Sequence, residues 1–315
     1  MTVSIRERPR PATLAPPRIP TTRSWLRSDR RVGVALLLPA LAVFAVFVFY
    51  PLGRVLWLSL QGTDIFGQPA GFVGAKNFAT TFTDPEFAAT MARTAVFCVA
   101  VVAGRIVLGL LIVIPLTTKL RGMPVFRALL TSPIAVSVSA GSVAFAALLT
   151  PGTGLVDSVI TRFGGQSIPF LTDTHWAMPS VIAVTVWGSI GFTVLLLLGA
   201  FGAIDAEVID AAHLDGAGAA RTLWSVSLPL VTPTLFFIVV TGTVEALTTF
   251  GQIQILTQGG PADATTTLVY DIYRTAFGAA SANFGLAAAL GVVLFLLVLL
   301  LSLVQFRVLE RRVHY

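Results

Sequence analysis

The sequence predicts an all-α fold: a polytopic membrane helix bundle with six predicted transmembrane helices and a cytoplasmic helix between the fourth and fifth. Three observations lead there. Hydrophobic residues make up 55% of the chain and charged residues only 11%, against roughly 25% charged in a soluble domain. The mean hydropathy is +0.86. Apolar runs long enough to cross a bilayer, about 20 residues each, recur along the whole chain.

The elements follow in chain order. Residues 1–31 carry eight arginines against Glu7 and Asp29, a surplus of +6 that equals the net charge of the whole chain. A basic stretch ahead of a first apolar run is the positive-inside signature of a cytoplasmic tail rather than a nucleic-acid footprint. Its proline and arginine content without apolar period reads as disordered. It is too long for the n-region of a cleaved signal peptide. Spans are expected at about 34–60, 90–118, 124–149, 177–200, 230–256 and 284–306. Lys119, Arg121 and Arg127 put loop 119–127 in the cytoplasm, and Arg307, Arg311 and Arg312 against Glu310 do the same for the C-terminus. Loops 61–89, 150–176 and 257–283 then lie on the opposite side. Pro39, Pro51, Pro115 and Pro133 should interrupt spans, which suits a packed bundle with irregular interior helices. Cys98 is the only cysteine, so neither an internal disulfide nor a thiolate metal cluster can form.

Residues 201–228 depart from the rest. Asp205, Glu207, Asp210 and Asp215 fall within eleven positions of a segment between two spans. Ile204, Val208, Ala211 and Ala212 share one helical face, with the acids mostly outside it. Gly216 follows, able to take the positive φ of a helix C-terminus, and a second short helical run, 218–226, leads to Leu228-Pro229. A plain connecting loop and a membrane-surface helix are the bland readings. Surface helices are Lys/Arg-rich, however, and this one is acidic. A helix seated in a groove of a partner protein fits better.

The run Asp210-Ala-Ala-x-x-Asp215-Gly216-Ala217, followed after eleven residues by Pro229, resembles the EAA loop of ABC-importer permeases. That family has Glu where this chain has Asp210. The resemblance implies that Glu207, Asp210, Ala211, Ala212, Asp215, Gly216 and Ala217 couple the chain to an ATPase. LTQGGPADATTTLVYDIYRTAF (256–277) is similar to the carbohydrate-type permeases, the binding-protein-dependent transport inner-membrane components. LWLSLQGTDIFG (56–67), FVGAKNF (72–78), ATTTLVYDIYR (264–274) and VQFRVLERRVHY (304–315) look most like the A-type permease of glycerol-3-phosphate uptake systems. The resemblance covers nearly everything after residue 31. It implies a disordered tail, 1–31, and a permease domain, 32–315, in the bacterial cytoplasmic (inner) membrane with both termini inside. It implies partners too: a second homologous permease subunit, two ATPase subunits, an external substrate-binding lipoprotein or periplasmic protein, and membrane lipid, but no nucleic acid.

Other chemistry is sparse. The only lysines, Lys76 and Lys119, stand outside any Gly-Lys-Ser/Thr phosphate loop, so ATP and Mg belong on the partner ATPase and no cofactor is expected in this chain. His175, His213 and His314 lack ligand spacing, and no nucleophile elbow or Ser/His/Asp set is present. The chain therefore reads as a transport subunit rather than an enzyme.

Ionisable residues inside a bilayer are functional candidates, because burying one costs a few kcal/mol. Arg105 and Glu245 qualify, whereas Arg54 sits near a span end and can snorkel. Glu245, Thr248 or Thr249, and Gln252 are spaced as one polar helical stripe. Such a stripe lines a substrate path or joins helices, and snorkelling or a carbonyl bond would also account for Arg105. Glycerol-3-phosphate, a glycerophosphodiester and a sugar all remain open as cargo. An ion-coupled secondary transporter using Glu245 is the competing class, but its repeat halves are not found.

Overall fold

The structure, a computed structural model, describes residues 25–64, 67–117, 122–278 and 282–309. Residues 1–24, Lys119, Arg121, Glu310, Arg311, Arg312 and His314 lie outside the described residues. The chain forms two compact units, Met1–Arg54 and Val55–Tyr315.

The first unit is led by α1 (Trp25–Phe44), so helix begins inside the stretch expected to be disordered. A π turn, Ala45–Phe49, carries the helix on into α2 (Tyr50–Ser59). From Leu36 to Tyr50 its large apolar side chains are exposed, as lipid-facing side chains are, and Leu52 is half-buried.

The second unit holds the bundle. Strands β1 (Gln61–Thr63) and β2 (Pro69–Phe72) pair antiparallel, a small hairpin inside what the sequence presents as a loop. After α3 (Lys76–Thr83), Asp84 caps α4 (Pro85–Leu116) by accepting from the Glu86 N–H, with Pro85 in the first turn where no N–H is needed. Next come α5 (Met123–Thr131), a 3₁₀ turn (Ser132–Ala135), α6 (Val138–Leu149), α7 (Leu155–Arg162) and α8 (Ala177–Gly202). Helix α9 (Ala206–Leu214) precedes α10 (Ala219–Thr222), a π turn (Leu223–Ser227), α11 (Leu228–Leu247), α12 (Gly251–Leu256), α13 (Leu268–Phe277) and α14 (Phe284–Leu309).

Among the described residues five helical stretches are long and apolar enough to cross a membrane, and a sixth is counted if one sharply bent pair is a single span. The expectation of six spans agrees with this, and two of the spans differ from it in shape or bounds. The third is not straight: Met123–Ala135 and Val138–Leu149 are bent by 102°. Pro133 lies in the 3₁₀ turn, Val136 is extended, and Ser137 starts α6 by accepting from the Ala140 N–H at 3.2 Å. The fifth runs over Ala219–Leu247, not 230–256.

Pro115 stands one residue before the end of α4, whereas Pro39, Pro51 and Pro229 do not break their helices. Pro51 and Pro229 each stand two residues after a π turn. A proline ring clashes with the carbonyl four residues back. Those carbonyls, on Phe47 and Ser225, lie inside the widened turns, which take up the strain.

Two apolar clusters hold the bundle. One gathers Phe97 and Val101 of α4, Val181 and Val184 of α8, Leu247, Ile253, Leu268 and Leu290. The other joins Val113 and Leu116 to Val194, Leu197 and Ile238. Helices α4 and α8 meet closely at Gly109, where an added Cβ would lie 2.7 Å from Thr193 Cγ2; small residues serve such contacts in membranes. Polar ties fasten the parts outside the spans. The Asn77 amide donates to the Ser59 and Gln61 carbonyls at 2.9 and 2.8 Å, and Gly285 N–H donates to Thr63 Oγ1 at 2.9 Å. In loop 150–176, the Ser167 side chain and the Gly152 N–H hold the Asp157 carboxyl below the usual carboxylate range. Arg127 donates to the Leu116 carbonyl at 2.6 Å and so caps α4.

Candidate functional site

Arg105 is the charge the bundle is built around. It sits mid-way along α4 with no exposure, against α8 and α11. Its Nε donates to Thr193 Oγ1 at 3.0 Å, and Nη1 donates to Glu245 Oε2 at 2.7 Å. The third nitrogen, Nη2, is buried with no partner among the described residues. Gly242, one turn before Glu245 on α11, gives the guanidinium its room: a Cβ there would lie 3.0 Å from Nη1. A buried cation with no counter-charge is strongly destabilising, and Glu245 supplies that charge. The two partners are unequal, since the Arg105 side chain is 1% exposed and that of Glu245 is 54% exposed.

Glu245 opens onto a small cavity of about 60 Å³. Gln252, Ser137, Ser142, Thr185 and Ser189 supply its polar wall, and the Ser142 hydroxyl is buried without a partner among the described residues. The bend between α5 and α6 brings Ser137 and Ser142 here, and α8 brings Thr185 and Ser189.

The expected polar stripe is only partly present. Helix α11 stops at Leu247, and Phe250 is already at φ −119 before α12 begins. Two threonines near the break bond back to the last turn: Thr248 Oγ1 donates to the Val244 carbonyl and Thr249 Oγ1 to the Glu245 carbonyl, both at 2.8 Å. Thr249 is buried. Glu245 and Gln252 therefore share a cavity across a helix break rather than a helical face, and neither threonine lines it. Sequence reasoning does not single out Thr193, Ser142 or Ser189. Hydroxyl residues inside spans are the only signal they leave.

The segment after α8 is built from local bonds. Helix α9 closes with Gly216 at φ +80. The Ala217 N–H donates to the Ala212 carbonyl at 2.9 Å and the Gly216 N–H to the His213 carbonyl at 3.0 Å. That pair of bonds is the Schellman ending, which favours glycine at this position. Glu207, Asp210, Ala211, Asp215 and Gly216 are exposed, and Ala212 and Ala217 are half-buried. Leu214 is 90% exposed, Val208 and Trp224 are also open, and Ile204 is half-buried. The segment thus presents acids and apolar side chains together.

Arg274 of α13 pairs with Asp263, on the loop joining α12 to α13, and donates to Asp271 Oδ1 at 3.0 Å. Burial pushes the Asp271 carboxyl up, and Arg274 beside it works against that. Phe250, Tyr270, Tyr273, Phe277 and Phe284 form a run of touching rings along α13.

Residues 106–315 match the family described as binding-protein-dependent transport system inner membrane component. The sn-glycerol-3-phosphate transport system permease protein UgpA of Yersinia pestis bv. Antiqua (strain Antiqua) is 36% identical over 303 residues, 96% of this chain and 100% of that protein. Its counterpart from Agrobacterium fabrum (strain C58 / ATCC 33970) is 34% identical over 89% of this chain and 95% of its own length. Among solved structures, a chain of the bacterial alginate ABC transporter in complex with alginate pentasaccharide-bound periplasmic protein superimposes with a TM-score of 0.77. It is 22% identical, covering 92% of this chain and 98% of that one.

Proposed function

The chain belongs to the family of binding-protein-dependent transport system inner membrane components, and on that premise we propose that its cargo is glycerol-3-phosphate or a related glycerophosphodiester. It is a multi-pass permease subunit of an inner-membrane ABC importer. The end-to-end similarity to glycerol-3-phosphate permeases carries the cargo assignment. The interior agrees with it: a guanidinium fork is the side chain best suited to a phosphate.

In this reading a second homologous permease completes the path, and an external binding protein delivers the cargo. Two ATPase subunits turn over ATP and Mg, while this chain holds no cofactor and catalyses nothing itself. Glu207, Asp210, Ala211, Ala212, Asp215, Gly216 and Ala217 form the docking segment for an ATPase, supported by its exposed acids and the open Leu214. Arg105, Glu245 and Gln252 belong to the substrate path, with Thr248 and Thr249 shaping the break beside it. A sugar is the second reading, favoured by the run of aromatic rings on α13.

Uptake into proteoliposomes holding the whole importer and its binding protein tests the cargo. ATP-dependent accumulation of glycerol-3-phosphate is expected; accumulation of a neutral sugar alone would replace it. Both termini and residues 201–228 are assigned to the cytoplasm. Gln68→Cys and Gln166→Cys should accordingly react with an impermeant thiol reagent added outside, and Ala219→Cys should not. The reverse pattern overturns the orientation and the docking together.

A further inference from the structure

We propose that Glu245 is a resident counter-ion that the anionic group of the cargo displaces from Arg105, so that this pair reads negative charge in the translocation path. The inference rests on the phosphate-bearing cargo assigned above.

The argument begins with the inequality of the pair. Arg105 is fixed: Nε is held by Thr193, the residue has no exposure, and Gly242 fits against its Nη1. A guanidinium stays protonated in a protein, so this charge must always be compensated. Glu245 compensates it through a single oxygen while more than half of its side chain is open. The cation therefore cannot leave the site, and the anion can.

Two polar atoms here are buried and unsatisfied among the described residues: Nη2 of Arg105 and the hydroxyl of Ser142. A buried donor left unpaired is costly, and more so when it is charged, so Nη2 marks a place where an acceptor would be favoured. One carboxylate oxygen on Nη1 leaves half of the fork unused. A phosphate monoester offers oxygens to both Nη1 and Nη2, the bidentate arrangement that Arg makes with phosphates. It would then take the place of the carboxylate. Glu245 has somewhere to go, because it already lines the cavity with Gln252, Ser137, Ser142 and Ser189. Arg105 keeps an anionic partner before and after the exchange. A neutral polyol gains nothing from it, since it cannot replace the counter-charge.

The test uses the assembled complex of this chain, its partner permease and the ATPases, without the binding protein. Affinities for glycerol-3-phosphate and for glycerol are compared by equilibrium dialysis. Glu245→Gln removes the competitor, so glycerol-3-phosphate should bind roughly tenfold tighter, as losing one charge-assisted competing contact implies. Glycerol should be unaffected. The double variant Arg105→Gln/Glu245→Gln removes both charges and keeps two hydrogen-bonding amides. It should assemble and lose the preference for the phosphate ester.

Glycerol-3-phosphate affinity that is unchanged or weaker in Glu245→Gln overturns the exchange. So does a double variant that keeps the full preference. A single variant that fails to assemble while the double variant assembles shows a purely structural pair and also overturns it. Failure of both to assemble does the same, because a pair that must stay closed cannot be opened by cargo. Wild-type proteoliposomes with the binding protein separate this from the reading beneath it. No uptake of glycerol-3-phosphate there removes the cargo assignment, and the exchange with it. Uptake accompanied by any of the overturning variant patterns removes the exchange alone.

Discussion

The segment proposed to dock and the Arg105–Glu245 centre are both polar breaks in an apolar chain, and they are built in opposite ways. Around Gly216 the bonds that close α9 reach at most five residues along the chain, from Ala217 back to Ala212. The bond between Arg105 and Glu245 joins positions 140 residues apart. The first region leaves its side chains to the surroundings, with Leu214 90% exposed. The second hides its cation completely. A segment with local bonds keeps its shape whatever the spans do, which suits the partner-facing role proposed for it. A centre made by three packed helices changes whenever those helices shift, which suits a part that must respond to transport. The contrast is also energetic. An exposed charge contributes little, whereas removing one partner of a fully buried pair costs about 3–5 kcal/mol. The half-open carboxylate places this pair below that range.

The largest effect should come from disturbing the packing that makes the interior centre. A Cβ on Gly191 of α8 would lie 2.6 Å from the Thr131 carbonyl oxygen and 2.9 Å from the Ile134 nitrogen, both backbone atoms at the bend after α5. Backbone cannot rotate away as a side-chain tip can. Gly191→Val should push the bend off α8 and carry Ser137 and Ser142 with it. Overpacking costs typically about 1–3 kcal/mol, and a rigid neighbour puts this site at the upper end. The variant complex should show a lower Tm and no measurable uptake. Gly199→Ala, on the same helix with nothing within 4 Å of its added Cβ, should behave as wild type. Equal behaviour of the two would remove the claim that the bend is held in place by close contact.

The same contrast separates what is legible in the amino-acid sequence from what is not. The α9–Gly216 turn is specified by neighbours along the chain, so its glycine, its acids and its apolar face can be read from the residues alone. So can the apolar spans, because length and hydropathy identify them. The break after Leu247 cannot. Glu245, Thr248 and Gln252 have helical spacing, and only the fold shows two threonine hydroxyls bonding back to the last turn. The bend at Pro133 is half legible: the proline announces an interruption, but Pro39 and Pro51 announce the same and their helices continue, while Pro115 stands one residue before the end of α4. What separates Pro133 is an extended Val136, the Ser137 cap and the close approach to Gly191. Arg105 and Glu245 can each be singled out as charges in a span. Their pairing is a property of how α4 meets α11, and no local pattern encodes it.

The smallest effects belong to the segment proposed to dock, and they sharpen the contrast by their order. An added Cβ at Gly216 meets nothing within 4 Å, so a substitution there is opposed by torsion alone. Left-handed backbone costs an L-residue about 1–2 kcal/mol, and a β-branched side chain tolerates it worst. Gly216→Val should leave membrane insertion and the Tm of the spans close to wild type, while substrate-stimulated ATP hydrolysis falls by about tenfold as the turn reorients. Asn tolerates this conformation better, so Gly216→Asn should recover part of the loss. Asp210→Ala changes neither the turn nor any ion pair among the described residues. A surface substitution of that kind stays within about 0.5 kcal/mol, which predicts a coupling defect well below that of Gly216→Val. Both variants are read in one assay of ATPase activity with and without substrate-loaded binding protein. An Asp210→Ala defect as large as that of Gly216→Val would mean that the acid, not the glycine turn, carries the coupling. The local geometry would then be only the frame for a single charged contact.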